Sequence, residues 1–344
     1  FGGSFDAFVT KVNTTGTGLV WSTFVGGTGS DGADDLMLDG SGTIYLTGQA
    51  ASGYPTTAGA YDSTVNGTFD GHASKLSADG TTLLYATVFG GSGNEGGTAI
   101  TAADANTIYV AGDTPSSDFP TTAGAYDTTK SSSDDMFALQ LDLTQTGSSQ
   151  LAYSTFIGGG GVDRPTAIQV DAGNRAHIAG WTQSSGLATA GAYDTTLSGT
   201  SDGVLAILSA DGTVMEELTY VGGESGDNAN DIQLTGSSIY LTGNTSSATG
   251  FPLTGGAYDN TLDGSSDAFS VRFASIDPPP DPSIAIVNSS GDASDNNPGD
   301  DVCDTGNTDG PDPECTLRAA IQEANASATV DTIHFAIPQT DSNY

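Results

Sequence analysis

The segment Thr107-Ile-Tyr-Val-Ala-Gly112, followed by Phe119-Pro-Thr-Thr-Ala-Gly-Ala-Tyr-Asp127, decides the fold because it recurs. Thr43-Ile-Tyr-Leu-Thr-Gly48 and Ser238-Ile-Tyr-Leu-Thr-Gly243 repeat its first part. Gly-Ala-Tyr-Asp returns around Tyr61, Tyr126, Tyr193 and Tyr258, about 65 residues apart. The double glycines Gly26-Gly27, Gly90-Gly91, Gly158-Gly159 and Gly222-Gly223 keep the same period. So do Asp6, Asp70, Asp135, Asp202 and Asp267, each of which opens an apolar segment. Three independent markers with one period identify a repeat protein.

Each period predicts four short strands. One follows the marker Asp, as in Asp6–Val12 or Asp267–Phe273. The next runs into the double glycine, as in Leu19–Val25 or Leu151–Ile157. A third has apolar residues two apart, at Leu36/Leu38, Ile168/Val170 and Ile232/Leu234, and the fourth is the Thr107–Gly112 type. Period-two alternation with β-branched and aromatic residues is the mark of a strand. Asp39-Gly40, Asp79-Gly80 and Asp211-Gly212 stand between strands, where a tight turn needs positive φ. An all-β chain of four such repeats matches a β-propeller of four-stranded blades.

Composition agrees. The chain has 344 residues, 48 of them Gly, with 7 Lys and Arg against 42 acids and a net charge of -35. This excludes a nucleic-acid binder, which needs a basic surface. It also excludes docking on an anionic membrane, and no apolar run is long enough to insert into a bilayer. Nearly all the acids are Asp, which favours turns and oxygen-rich cation sites over helices. High negative charge suits salty or calcium-containing surroundings, and the chain is read as secreted or cell-surface. Phe1-Gly2-Gly3 reads as a processed start.

The segments Asp6–Val12, Leu19–Gly27, Thr43–Gly48 and Phe119–Asp127 resemble the SBBP family of bacterial β-propeller repeats, over residues 5 to 273. The third repeat departs from it with Gly186-Leu187-Ala188 where others have Phe119-Pro120 or Phe251-Pro252. The fourth has Glu217 where others have Trp21, Tyr85 and Tyr153. The domains expected are thus a propeller over 1–275, a stiff Pro-rich linker over 276–282, and a module over 283–344. In that module strands are expected over 283–287 and 332–337. A short amphipathic helix is expected around Leu317, Ala320, Ile321 and Ala324. Its Cys315-Thr-Leu-Arg-Ala-Ala-Ile-Gln-Glu-Ala-Asn325 resembles the CSLREA domain, which implies the N-terminal cap of a parallel β-helix.

Candidate chemistry is sparse. His72 occupies the slot of Phe8, Phe137 and Phe269, and His177 that of Tyr45, Tyr109 and Tyr240. Ring-for-ring replacement at a packing position is preferred there over catalysis, and no nucleophile then has a base. His334 lies in the last strand. The repeated tyrosines are either a sugar-stacking ring or loop anchors, and their presence in every repeat favours anchoring. The acidic stretch Asp292, Asp295, Asp300, Asp301, Asp304, Asp309 and Asp312 admits two readings: a calcium site outside the EF-hand pattern, or a solvated loop. The blade-loop acids Asp31, Asp34, Asp163 and Asp227 are weaker candidates. Cys303 and Cys315 lack the further ligands of a zinc site and are read as a disulfide.

The expected function is a non-enzymatic extracellular scaffold, adhesin or filament subunit that associates with copies of itself. The alternatives are a glycan-binding propeller or a piece of a polysaccharide-active protein. Closing a fourth blade by joining the last three strands to Leu19–Val25 leaves one marker-Asp strand over. Asp6, Phe8, Val9 and Val12 then mark a strand available for exchange between molecules, or one that belonged to a further repeat. For the cysteines, thiol labelling of unfolded, unreduced protein should find no free thiol. Two labelled thiols would disprove the bridge.

Overall fold

The computed structural model describes residues 2–236, 238–273, 284–287, 316, 318, 321 and 332–335. The chain divides into two compact units, Phe1–Ala274 and Ser275–Tyr344. The first is all-β apart from one short 3-10 turn at Gly147–Gln150. It begins with a two-stranded sheet of β1 (Ala7–Val12) and β2 (Leu19–Val25). Three four-stranded sheets follow. They are β3 (Asp35–Leu38) to β6 (Leu83–Phe89), β7 (Gly96–Ala102) to β10 (Leu151–Ile157), and β11 (Asp163–Val170) to β14 (Met215–Val221). Within them lie β4 (Ile44–Ala50), β5 (Asp70–Leu76), β8 (Thr107–Thr114), β9 (Asp135–Asp142), β12 (Ala176–Thr182) and β13 (Asp202–Leu208). The last sheet has three strands, β15 (Asp227–Thr235), β16 (Ser238–Thr245) and β17 (Asp267–Phe273).

Within each sheet, strands adjacent in sequence pair antiparallel, so each sheet is a plain meander. The turns carry the required chemistry. Gly80 and Gly212 both have φ +69, a conformation glycine adopts without steric cost. The Asp39 turn is wider than expected. Its positive φ falls on Gly42, not Gly40, because the Asp39 carboxylate accepts the N–H groups of Ser41 and Thr43 and moves the reversal on by two residues.

The core lies in layers between successive sheets, because each strand sends alternate side chains to opposite faces. Ala7, Val9 and Val25 of the first sheet meet Ile44, Leu46 and Leu76 of the second. Tyr45, Tyr85 and Phe89 meet Phe137, Leu139 and Phe156 of the third. Tyr109, Met136 and Tyr153 meet Ile178, Val204 and Tyr220 of the fourth.

A ring pair recurs at one edge of these layers. Tyr54 stacks on His72 at 4.6 Å, Phe119 on Phe137 at 4.5 Å, and Phe251 packs on Phe269 at 4.9 Å. The third repeat lacks the pair. Leu187 and Val204 stand there, and the Tyr220 hydroxyl reaches up to accept the Leu187 N–H at 3.1 Å. One larger ring thus takes the space of two.

The fourth blade does not close as expected. β2 pairs with β1, in the register Ala7↔Val25 to Val12↔Leu19, and no strand lies on the outer edge of β17 among the described residues. Chain connectivity favours this outcome. A short turn joins β1 to β2, so their pairing closes a far smaller loop than β17 with β2 would. In the second unit β18 (Ile284–Val287) and β19 (Thr332–Phe335) pair in parallel, which needs a long crossover. Arg318 and Ile321 are helical, as expected of the short helix.

The layers yield a paired expectation. Phe137 is fully buried between sheets, so Phe137→Ala should cost about 3–5 kcal/mol in urea unfolding. Phe8 occupies the same slot but is 68% exposed, and Phe8→Ala should change stability by less than about 0.5 kcal/mol.

Candidate interaction surfaces

The Gly-Ala-Tyr-Asp loops show how one sheet is tied to the next. Gly59, Gly124, Gly191 and Gly256 turn the chain with φ between +80 and +89. The following Asp closes an Asx turn by accepting the N–H of Thr64, Thr129, Thr196 or Thr261. Three of the loops then dock on the outer strand of their own sheet. The N–H groups of Asp62, Asp127 and Asp194 donate to the hydroxyls of Thr87, Thr155 and Thr219 at 2.8–2.9 Å.

The loops also reach forward. Tyr126 N–H donates to the Gly212 carbonyl at 2.9 Å, and the Tyr193 ring meets Phe273 edge-on at 5.8 Å. The outer-strand aromatics do the same. Trp21 lies over the Gly80 turn and Tyr153 over the Gly212 turn, so close that any side chain at either glycine would clash. Tyr85 donates to Gln150 at 2.9 Å.

Glu217 stands where an aromatic would cover the turn after the third strand of the fifth sheet; among the described residues that sheet stops at β17. Among the described residues Asp259 has no threonine hydroxyl beneath it, and Tyr258 is fully exposed. The tyrosine rings become more exposed along the chain, from Tyr126 at 41% through Tyr193 at 64% to Tyr258. Tyr126 and Tyr193 tie their loops to the following sheet, Tyr126 through its N–H and Tyr193 through its ring.

The two end sheets differ from the inner ones in one respect. On the first, Phe8, Val12 and Val20 point away from the second sheet and are exposed. Their counterparts His72, Phe137 and Val204 in the Phe8 slot are buried against the preceding sheet. On the last sheet Tyr240 is 38% exposed and holds the Arg272 guanidinium over its ring at 5.9 Å, whereas Tyr45 and Tyr109 in that slot are buried. Each end therefore presents outward a face that the interior of the molecule covers.

The other expected residues are accounted for as follows. Among the exchange residues, Val9 is buried, Phe8 and Val12 are exposed, and the Asp6 carboxylate accepts the Gly2 N–H at 2.7 Å. His72 is a packing ring. Its Nε2 donates to the Gly32 carbonyl at 3.0 Å, its Nδ1 faces the Tyr54 hydroxyl at 3.0 Å, and burial lowers its pKa to about 4. His177 is buried with Nε2 on Asp171 at 3.1 Å, and Arg175 ties Asp171 to Glu216. Burial lowers the His177 pKa as well. Asp292, Asp295, Asp300, Asp301, Asp304, Asp309, Asp312, Cys303 and Cys315 lie outside the described residues. Among the described residues no group of three or more His, Cys, Asp or Glu side chains is placed to hold a metal ion.

Asp31, Asp163 and Asp227, read from the sequence as weaker cation candidates, belong with Glu95 to a repeated hydrogen-bonded element that the sequence reading did not find. An acid four residues after the second glycine of each pair (Asp31, Glu95, Asp163, Asp227) is buried and accepts that glycine's N–H. In the last three repeats it also binds hydroxyls of a Thr-x-Ser at the end of the next strand but one in sequence. Glu95 takes Thr114 and Ser116, Asp163 takes Thr182 and Ser184, and Asp227 takes Ser247. The Thr-x-Ser spacing at 114, 182 and 245 was the available signal. These acids sit beside the marker Asp of the same repeat. In the fourth repeat Oδ1 of Asp202 and Oδ1 of Asp227 are both buried without a hydrogen-bond partner.

No protein-family model and no curated protein matches the chain. Its surfaces and buried groups must therefore carry the functional reading.

The Asp202–Asp227 pair sets a pH dependence. Burial, reinforced by the neighbouring Asp227 charge, raises the Asp202 pKa to about 6. A folded-state pKa above the unfolded one makes this carboxyl stabilising when protonated. Its contribution is complete below about pH 4 and is lost as pH rises through about 6. Asp202→Asn keeps an acceptor for the Ser198 N–H and offers an N–H to Asp227. Its melting temperature relative to the parent should rise steadily from pH 4 to pH 7. A difference that does not vary with pH would contradict the coupling.

Proposed function

We propose that this chain is an extracellular, non-enzymatic structural protein of propeller-type repeats, similar to the SBBP family, that associates with copies of itself. The observation that carries the reading is the pair of outward faces on β1–β2 and β15–β17. They belong to the first and last sheets of the first unit and match the two sides of a contact used three times between consecutive sheets. Exposed sheet surface and open edges of this kind are normally covered in a protein that remains a monomer. His72 and His177 sit in packing positions where burial lowers the pKa of each, which fits a scaffold better than acid–base catalysis.

Charge adds a condition. With -35 spread over the chain, two copies repel at low ionic strength, and association strengthens as salt screens them. Calcium bound at Asp292, Asp295, Asp300, Asp301, Asp304 and Asp309 belongs to the same reading and would act in the same direction.

Sedimentation and negative-stain electron microscopy test the proposal. Polymers or closed rings should form in about 150 mM salt and shorten at low salt. Monomers at every concentration and ionic strength would refute it.

A further inference from the structure

Given the self-association reading above, on which this step rests, the geometry points to one particular contact. We infer that the last sheet of one copy (β15–β17) receives the β1–β2 sheet of a second copy face to face. In that contact Tyr258 is seated on the Gly16 turn of the second copy.

The inner repeats supply the template. The second and third sheets present to their successors the face that carries the Tyr45 slot, and the third and fourth meet them with the face that carries the Phe137 slot. The last sheet has the first of these faces uncovered, at Tyr240, and the first sheet has the second uncovered, at Phe8. A second copy thus offers the kind of surface that the second and third sheets receive from their successors.

The turn between β1 and β2 matches in detail. Gly16, Gly80 and Gly212 have φ +71, +69 and +69, and each donates its N–H to the carbonyl three residues earlier. Trp21 covers Gly80 and Tyr153 covers Gly212, while nothing lies within 4 Å of the space above Gly16. The Asn13 side chain accepts the Thr17 N–H at 2.9 Å and holds this turn in shape before any partner arrives. Tyr126 N–H donates to the Gly212 carbonyl within the chain, so Tyr258 N–H and the Gly16 carbonyl form the equivalent pair between copies. Such a contact is head-to-tail. It propagates into a filament, or closes into a ring if the rotation allows.

Two single-cysteine additions test this, Thr14→Cys and Tyr258→Cys, each in the full chain. The two variants are mixed under assembly conditions and treated with a short thiol cross-linker, and the linked peptides are identified by mass spectrometry. A 14–258 link between chains is expected only in the mixture, and adding Phe8→Asp to the first variant should abolish it. Phe8 is exposed, so unchanged unfolding of that variant shows that the fold survives. Polymers without the 14–258 link would overturn this contact and leave self-association standing. Neither polymers nor link would remove both. In a variant that carries both Thr14→Cys and Tyr258→Cys, a 14–258 link inside one chain would show a closed monomer and also overturn the inference.

Discussion

The apolar layer between consecutive sheets is the interaction on which the rest of the molecule depends. Each inner sheet is buried on both faces, with Tyr45, Phe137 and Tyr220 fully enclosed, and none could hide its side chains alone. Stability is therefore close to a sum of sheet-to-sheet contacts, as in other repeat architectures. Ring pairs such as Phe119 on Phe137 fix the spacing, and where Leu187 and Val204 replace rings, Tyr220 fills the gap. The same dependence makes the ends a problem. Among the described residues, Phe8 on the first sheet and Tyr240 on the last lie on faces that no further sheet covers.

The acids acquire a meaning beyond charge. Many Asp side chains work as backbone-binding groups in turns, where a short carboxylate reaches N–H donors two to four residues away. Asp39 and Asp79 show the effect, since hydrogen bonds from Ser and Thr hydroxyls and nearby N–H groups hold their pKa values down to about 2. Others are buried knots that fasten the double-glycine loop to a neighbouring strand end, as Asp163 does through Gly159, Thr182 and Ser184. Local hydrogen bonding of this kind accounts for these acids.

The strands, turns and the packing role of His72 were legible in the sequence because each leaves a local period or a slot occupied by the same kind of side chain. The acid–Thr-x-Ser knots were not, because they join residues about 20 positions apart whose spacing matters only once strands fold back. Glu217 is visible in the sequence as a departure in outer-strand packing, and among the described residues the sheet it faces stops at β17. The pairing of β1 with β2 was also missed. Slot counting alone gives β1 and β17 equal claim to β2, and only the cost of loop closure separates them.

Amide hydrogen exchange resolved by peptide, in dilute and concentrated protein, tests the central claim most directly. If the end faces are unfilled copies of an internal contact, β1, β2, β16 and β17 should exchange far faster than β8, β9, β12 and β13 in dilute solution. Raising the concentration should then slow exchange in those end strands alone. Equal protection of the end and inner strands in the dilute monomer would contradict the account.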